Sequence, residues 1–224
     1  MKKPEVIAKL QSLANPVNVA GMARYGINST NTLGVSIYIL REIAKEIGKD
    51  DALADELWVS GIHEARILAS YIADPGKTTE ERMDRWAADF DSWDVCDQVC
   101  GFFEETPYAY HKSVAWSDRH EEFVKRAAFA IMAGLAVHDK KADNSQFERF
   151  FSIIVRESSD DRNFVRKAVN WALRNIGKRN RHLNEKAVAT ARQIQQIDSR
   201  SARWIAADAL RELTAEKTQG KLRD

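Results

Sequence analysis

The chain has 224 residues, 44% hydrophobic and 30% charged, which is enough apolar content to bury a core. Its net charge of +1 hides an asymmetry: residues 160–224 carry 15 Lys+Arg against 8 Asp+Glu, while the rest carries 19 against 25. A membrane span is excluded, because no apolar stretch approaches the roughly 18 residues it needs, and the charged start Met1-Lys2-Lys3-Pro4-Glu5 is unlike a signal core, so the expected location is cytoplasmic.

Glycine (10) and proline (4) are scarce, which favours helices. Val6, Ile7, Leu10 and Leu13 share one helical face before Asn15-Pro16 interrupts. Ser36 is a candidate cap for a helix over Ile37, Leu40, Ile43 and Ile47, which Gly48 can end. Helices are then predicted over 51–60 and 62–72, with a turn at Asp74-Pro75-Gly76. Further helices are predicted over 79–89, 93–103, 107–116, 121–137, 146–157, 162–176, 184–195 and 201–214. No alternating strand pattern stands out.

The later helix of each pair repeats a motif. His63-Glu64-Ala65-Arg66-Ile67-Leu68-Ala69 compares with Val124-Lys125-Arg126-Ala127-Ala128-Phe129-Ala130, and Trp171-Ala172-Leu173-Arg174 with Asp208-Ala209-Leu210-Arg211. Ala65, Val95, Ala127 and Ala168 recur at spacings of 30 to 41 residues. That period predicts an all-α, HEAT-like helical-repeat solenoid: a curved stack of antiparallel helix pairs forming a single domain over 1–224. The second helices would line a concave face, and a concave face with a basic end can cradle a polyanion.

Several patterns carry little chemistry. Cys96 and Cys100 are one helical turn apart and read as buried thiols. His63-Glu64 lacks the second histidine of a zinc motif, and Gly21-Met22-Ala23-Arg24-Tyr25-Gly26 lacks the Gly-Lys-Ser/Thr ending of a phosphate loop. His138-Asp139 reads as a solvated loop. The basic run Lys178, Arg179 and Arg181 supplies candidate phosphate contacts.

The richest segment is Asp91-Ser92-Trp93-Asp94-Val95-Cys96-Asp97. Trp93 and Asp97 stand at i and i+4 and share a helix face, while Val95, Val99 and Phe102 point elsewhere. An aromatic face beside a carboxylate suits a cationic substrate. Taken singly, a helical tryptophan is commonly core and such an aspartate salt-bridged; Asp94 could cap or pair.

In order and spacing, Trp93-Asp94-Val95-Cys96-Asp97, Phe123-Val124-Lys125-Arg126-Ala127-Ala128 and Arg166-Lys167-Ala168-Val169-Asn170-Trp171-Ala172-Leu173-Arg174 resemble the motifs of the AlkD-type DNA glycosylases. The resemblance implies a HEAT-like fold, no metal or organic cofactor, and N3- and N7-alkylated purines in double-stranded DNA as substrate. It implies Asp97 as catalytic carboxylate, Trp93 and Trp171 as aromatic walls, and Arg126 as a backbone or catalytic-site contact. Arg24 and Tyr25 lie in a region that touches DNA in that family. It further implies a lesion that stays stacked rather than deeply flipped. Where members often carry two adjacent tryptophans, this chain has Ser92-Trp93. The expected protein is thus a monomeric, DNA-binding repair hydrolase. A non-catalytic module reading DNA by shape and backbone charge, and a protein-binding scaffold, are the competing classes.

Overall fold

The computed structural model describes residues 1–223. Among them the structure is all-helical, with fourteen α-helices and no strand. The helices fall into two compact units, Met1–Pro107 and Tyr108–Asp224.

The first unit holds α1 (Lys3–Ser12), α2 (Pro16–Ala23), α3 (Ile37–Ile47), α4 (Asp51–Trp58), α5 (His63–Ile72), α6 (Glu80–Ala88) and α7 (Trp93–Phe103). Side-chain caps start many of them. Ser36 accepts from the Ile39 amide, Asp50 from Leu53 and Thr79 from Arg82. Gly48 closes α3 at φ 74°, a conformation that costs glycine little. α5 packs against α3, α4 and α7, with Ile67, Leu68 and Ile72 in its buried face.

Beside it, Trp58 and Trp86 stack with ring centroids 4.2 Å apart and planes 1° from parallel. Arg66 lies over Trp58 at 5.5 Å and Arg82 over Trp86 at 4.7 Å. Arg82 also pairs with Asp51 at 2.7 Å and Asp55 at 3.1 Å. Trp58 Nε1 donates to Asp89 Oδ2 at 2.8 Å.

The sequence reading placed an interruption at Asn15-Pro16, and the structure places a helix there. Asn15 caps it, accepting from the Val17 and Asn18 amides, and Pro16 sits at its first position, where no amide is needed. No residue of α2 is buried, so it has no apolar periodicity to reveal it.

The second unit holds α8 (Ala109–Ser117), α9 (Glu122–His138), α10 (Asn144–Glu157), α11 (Asn163–Gly177), α12 (Arg181–Gln195), α13 (Arg200–Leu213) and α14 (Glu216–Gln219). The pairs are α8/α9, α10/α11 and α12/α13. The second helices stack in the order α9, α11, α13, and the first helices α8, α10, α12 stack beside them. Every residue from Val124 to Ala136 is buried, so α9 is a core helix on all sides.

Bonds between successive pairs repeat along α11 and α13. Arg166 lies over the Trp204 ring at 4.7 Å. Asn170 donates to Asp208 at 2.7 Å, Arg174 to Glu212 at 2.6 Å, and Lys178 to Glu212 at 2.9 Å. Burial works against the Glu212 charge, but Lys178 and Arg174 outweigh it and hold the carboxyl below its ordinary pKa. Among the described residues, no helix is long and apolar enough to cross a membrane.

Candidate functional site

In the first unit, the site is built around the start of α7. Ser92 precedes Trp93 and is fully buried. Its Oγ accepts from the Asn28 amide at 2.7 Å, and the Asn28 side chain donates to Asp91 at 2.8 Å. Trp93 is half-buried, and its Nε1 donates to the Tyr25 carbonyl at 3.0 Å, which fixes the indole plane. A second tryptophan at position 92 would have no such space or bond. The serine therefore holds the loop over residues 24–36 against α7.

The other end of that loop is held by Glu64, which is 1% exposed. Its Oε2 accepts from the Leu33 amide at 2.9 Å, and its Oε1 from Gly34 at 2.6 Å and Val35 at 3.3 Å. Gly34 has φ +77°, and a Cβ there would lie 2.3 Å from the Asn15 carbonyl oxygen. The His63 amide donates to the Asn31 carbonyl at 3.0 Å.

Asp94 takes a part that sequence spacing does not give. Its Oδ2 lies 2.9 Å from Nε2 of His63, whose side chain is 5% exposed, while its Oδ1 is buried without a hydrogen bond. Burial opposes protonation of His63, but Asp94 outweighs it, with help from Glu64 and Asp91, and raises the imidazole pKa above its ordinary value. The pair's stabilisation is therefore full below about pH 6.5, the unfolded value, and is lost as pH rises through the higher folded one. The melting-temperature gap between wild type and His63→Asn should be widest near pH 5.5 and narrow by pH 8.5. A gap that widens with pH would refute the assignment.

Asp97 is half-buried, one turn beyond Trp93. Gly101 continues this stripe; it is exposed, and nothing lies within 4 Å of a Cβ built there. Trp93, Asp97 and Gly101 thus share one face of α7, half-buried at the first two and open at Gly101, while Val95, Val99 and Phe102 are buried. Tyr71 donates to Gln98 at 2.5 Å and ties α5 to the middle of α7. Because the space is open, Gly101→Ala should stabilise the fold by about 0.5–1 kcal/mol, raising the melting temperature by a few degrees. A lower melting temperature would mean that the space at Gly101 is not open. Cys96 and Cys100 are buried and unlinked, and burial pushes the Cys100 thiol well up.

In the second unit, Arg126 is 6% exposed, and its Nη1 donates to the Phe164 carbonyl at 2.6 Å, binding α9 to the start of α11. Trp171 is half-buried on α11, between the ladder residues Asn170 and Arg174. The expected phosphate contacts differ among themselves. Lys178 is engaged by Glu212. Arg179 donates to the Ala136 and Ala142 carbonyls at 2.8 and 3.2 Å and lies 4.0 Å over the Phe147 ring. Burial lowers its pKa from the usual guanidinium value. Arg181, Arg24 and Tyr25 are exposed, Tyr25 by 75%.

Sequence reasoning missed the His63–Asp94 pair, the Glu64 loop cap and the Asn28–Ser92 bond. A signal was available: His63–Asp94, Glu64–Leu33, Trp58–Asp89 and Arg82–Asp51 are all 31 residues apart, within the range of the repeat period. Among the described residues, no group of three His, Cys, Asp or Glu is arranged to hold a metal ion.

A solved structure described as belonging to "a new family of proteins related to the HEAT-like repeat DNA glycosylases with affinity for branched DNA structures" overlays at a TM-score of 0.79. The two chains share 21% identity, and the overlay covers 95% of this chain and 96% of the other. The fold is therefore HEAT-like. Two designed armadillo repeat proteins, one bound to a (KR)4 peptide, overlay at only 0.37, with 17% and 16% identity. They cover 78% and 81% of this chain and 92% and 87% of their own, and bear on nothing further. No curated protein matches the sequence. The family model for DNA alkylation repair enzymes matches residues 6–213, and this chain is a member of that family.

Proposed function

We propose that the protein hydrolyses the N-glycosidic bond of N3- and N7-alkylated purines in duplex DNA, without flipping the base deeply. The observation that carries this reading is the strip on α7, where a half-buried indole and a half-buried carboxylate share one face and the indole is held by a backbone bond. Alkylation at N3 or N7 makes the purine a cationic leaving group. As the C1′–N9 bond breaks, its electron pair stays with the base, which departs neutral, and positive charge moves to the deoxyribose. Asp97 stabilises that charge and takes a proton from the attacking water. The Trp93 face adds cation–π attraction. In the second unit, Trp171 is the aromatic offered to the DNA. Arg181, Arg24 and Tyr25 are the exposed phosphate contacts, and Arg126 and Arg179 act by holding helices in place. The scheme needs no cofactor and a single copy of the chain, acting in the cytoplasm.

A second reading is favoured by the solved relative's described affinity for branched DNA. In it, the chain binds DNA by shape and backbone charge without excision. Release of N7-methylguanine and N3-methyladenine from duplex DNA decides between the two. Excision supports the first; salt-sensitive binding with no release of either base supports the second.

A further inference from the structure

Part of the charge of the basic C-terminal third gathers at one end of the helix stack in the second unit, together with Lys140. A cleft of about 440 Å³ opens where the turns α9–α10 and α11–α12 meet, and Lys140, Lys178, Arg179 and Arg223 line it. Among the described residues, no carboxylate does. Lys178 is shared with an adjoining cleft of about 410 Å³ that adds Lys217 and Lys221. Among the described residues, the acids beside this run are few. Glu212 lines the second cleft and is paired with Arg174 and Lys178, Asp139 accepts from Tyr110, and Asp143 and Glu216 are exposed.

Parts of this lining are also held in place. Arg179 is fixed by carbonyls and the Phe147 ring. The C-terminal segment is pinned because Leu222 is buried and the Arg223 carbonyl accepts from the Arg181 amide at 2.9 Å. A groove whose walls are already ordered loses less freedom when a ligand arrives.

We infer that these two clefts form one continuous track for the phosphodiester backbone of duplex DNA, built from residues that take no part in the strip on α7. A row of cations sharing a groove and lined by few acids suits successive phosphates better than one compact anion. The inference builds on the DNA-binding part of the reading above and is independent of excision.

The test is a triple variant, Lys140→Gln with Lys221→Gln and Arg223→Gln, in the full chain. No ion pair engages these three side chains among the described residues, so the melting temperature should stay at the wild-type value. Affinity for an unmodified duplex is then measured against salt. Each lost phosphate contact lowers the log–log salt slope by about 0.9, so the triple variant should lose roughly 2 to 3 units of slope. A wild type that binds, beside a folded variant with the same slope, overturns the track and leaves the glycosylase reading standing. A wild type that binds no DNA overturns both. A reduced slope without any base release supports the track while refuting the catalytic reading.

Discussion

Asp97→Asn is expected to slow base release by roughly a hundred- to a thousandfold, the size of effect seen when one preorganised electrostatic stabiliser is removed. The change is nearly isosteric and sits on the half-exposed face of α7, so the fold and the duplex affinity should persist within a few fold. The loss falls on the chemical step because the carboxylate opposes a charge that develops only as the glycosidic bond breaks. Single-turnover release of N7-methylguanine, with binding measured in parallel, separates the two effects. Equal rates for wild type and variant would remove Asp97 from the chemistry. A parallel collapse of binding would make it a DNA contact instead.

The largest stability effect is expected at Glu64. Truncation to alanine strands the amides of Leu33, Gly34 and Val35 in a buried setting. At about 1–3 kcal/mol for a buried group left unpaired, with some water entering the space, the loss should be about 3 kcal/mol or more. In a chain of this size that lowers the melting temperature by roughly 6–12 °C. Glu64→Gln should fall in between, because one of its two positions becomes an NH2 group facing an amide that needs an acceptor. A thermal melt of the three proteins tests the order. An alanine variant that melts with wild type would show that the loop over residues 24–36 does not depend on this carboxylate.

The helices were largely legible in the sequence because most have an apolar face with the period of 3.6 residues. α3, with Leu40 and Ile43 inward, and α11, with Val165, Ala168, Val169, Ala172 and Ile176 inward, are clear cases. α2 was not legible, since burial writes that period and none of its residues is buried. The Trp93–Asp97 strip was legible as an i, i+4 pair. Its supports were not. The Tyr25 carbonyl, the Asn28 amide and His63 reach α7 from positions 68, 64 and 31 residues away, through bonds that no local pattern encodes. Charge alone marked Lys178, Arg179 and Arg181 but could not show that Arg179 spends its guanidinium on backbone carbonyls and an aromatic ring.

The six tryptophans divide into two optical populations. Trp58, Trp86 and Trp116 are at most 2% exposed, the first two in a stack flanked by guanidinium groups. Trp93 and Trp171 are half-buried, and Trp204 is 38% exposed. The protein therefore carries its own reporters: a shielded set that acrylamide reaches poorly and emits further to the blue, and an open set that it quenches readily. DNA lying on the proposed surface would shelter part of the open set and leave the shielded set unchanged, so that binding could be followed without a label.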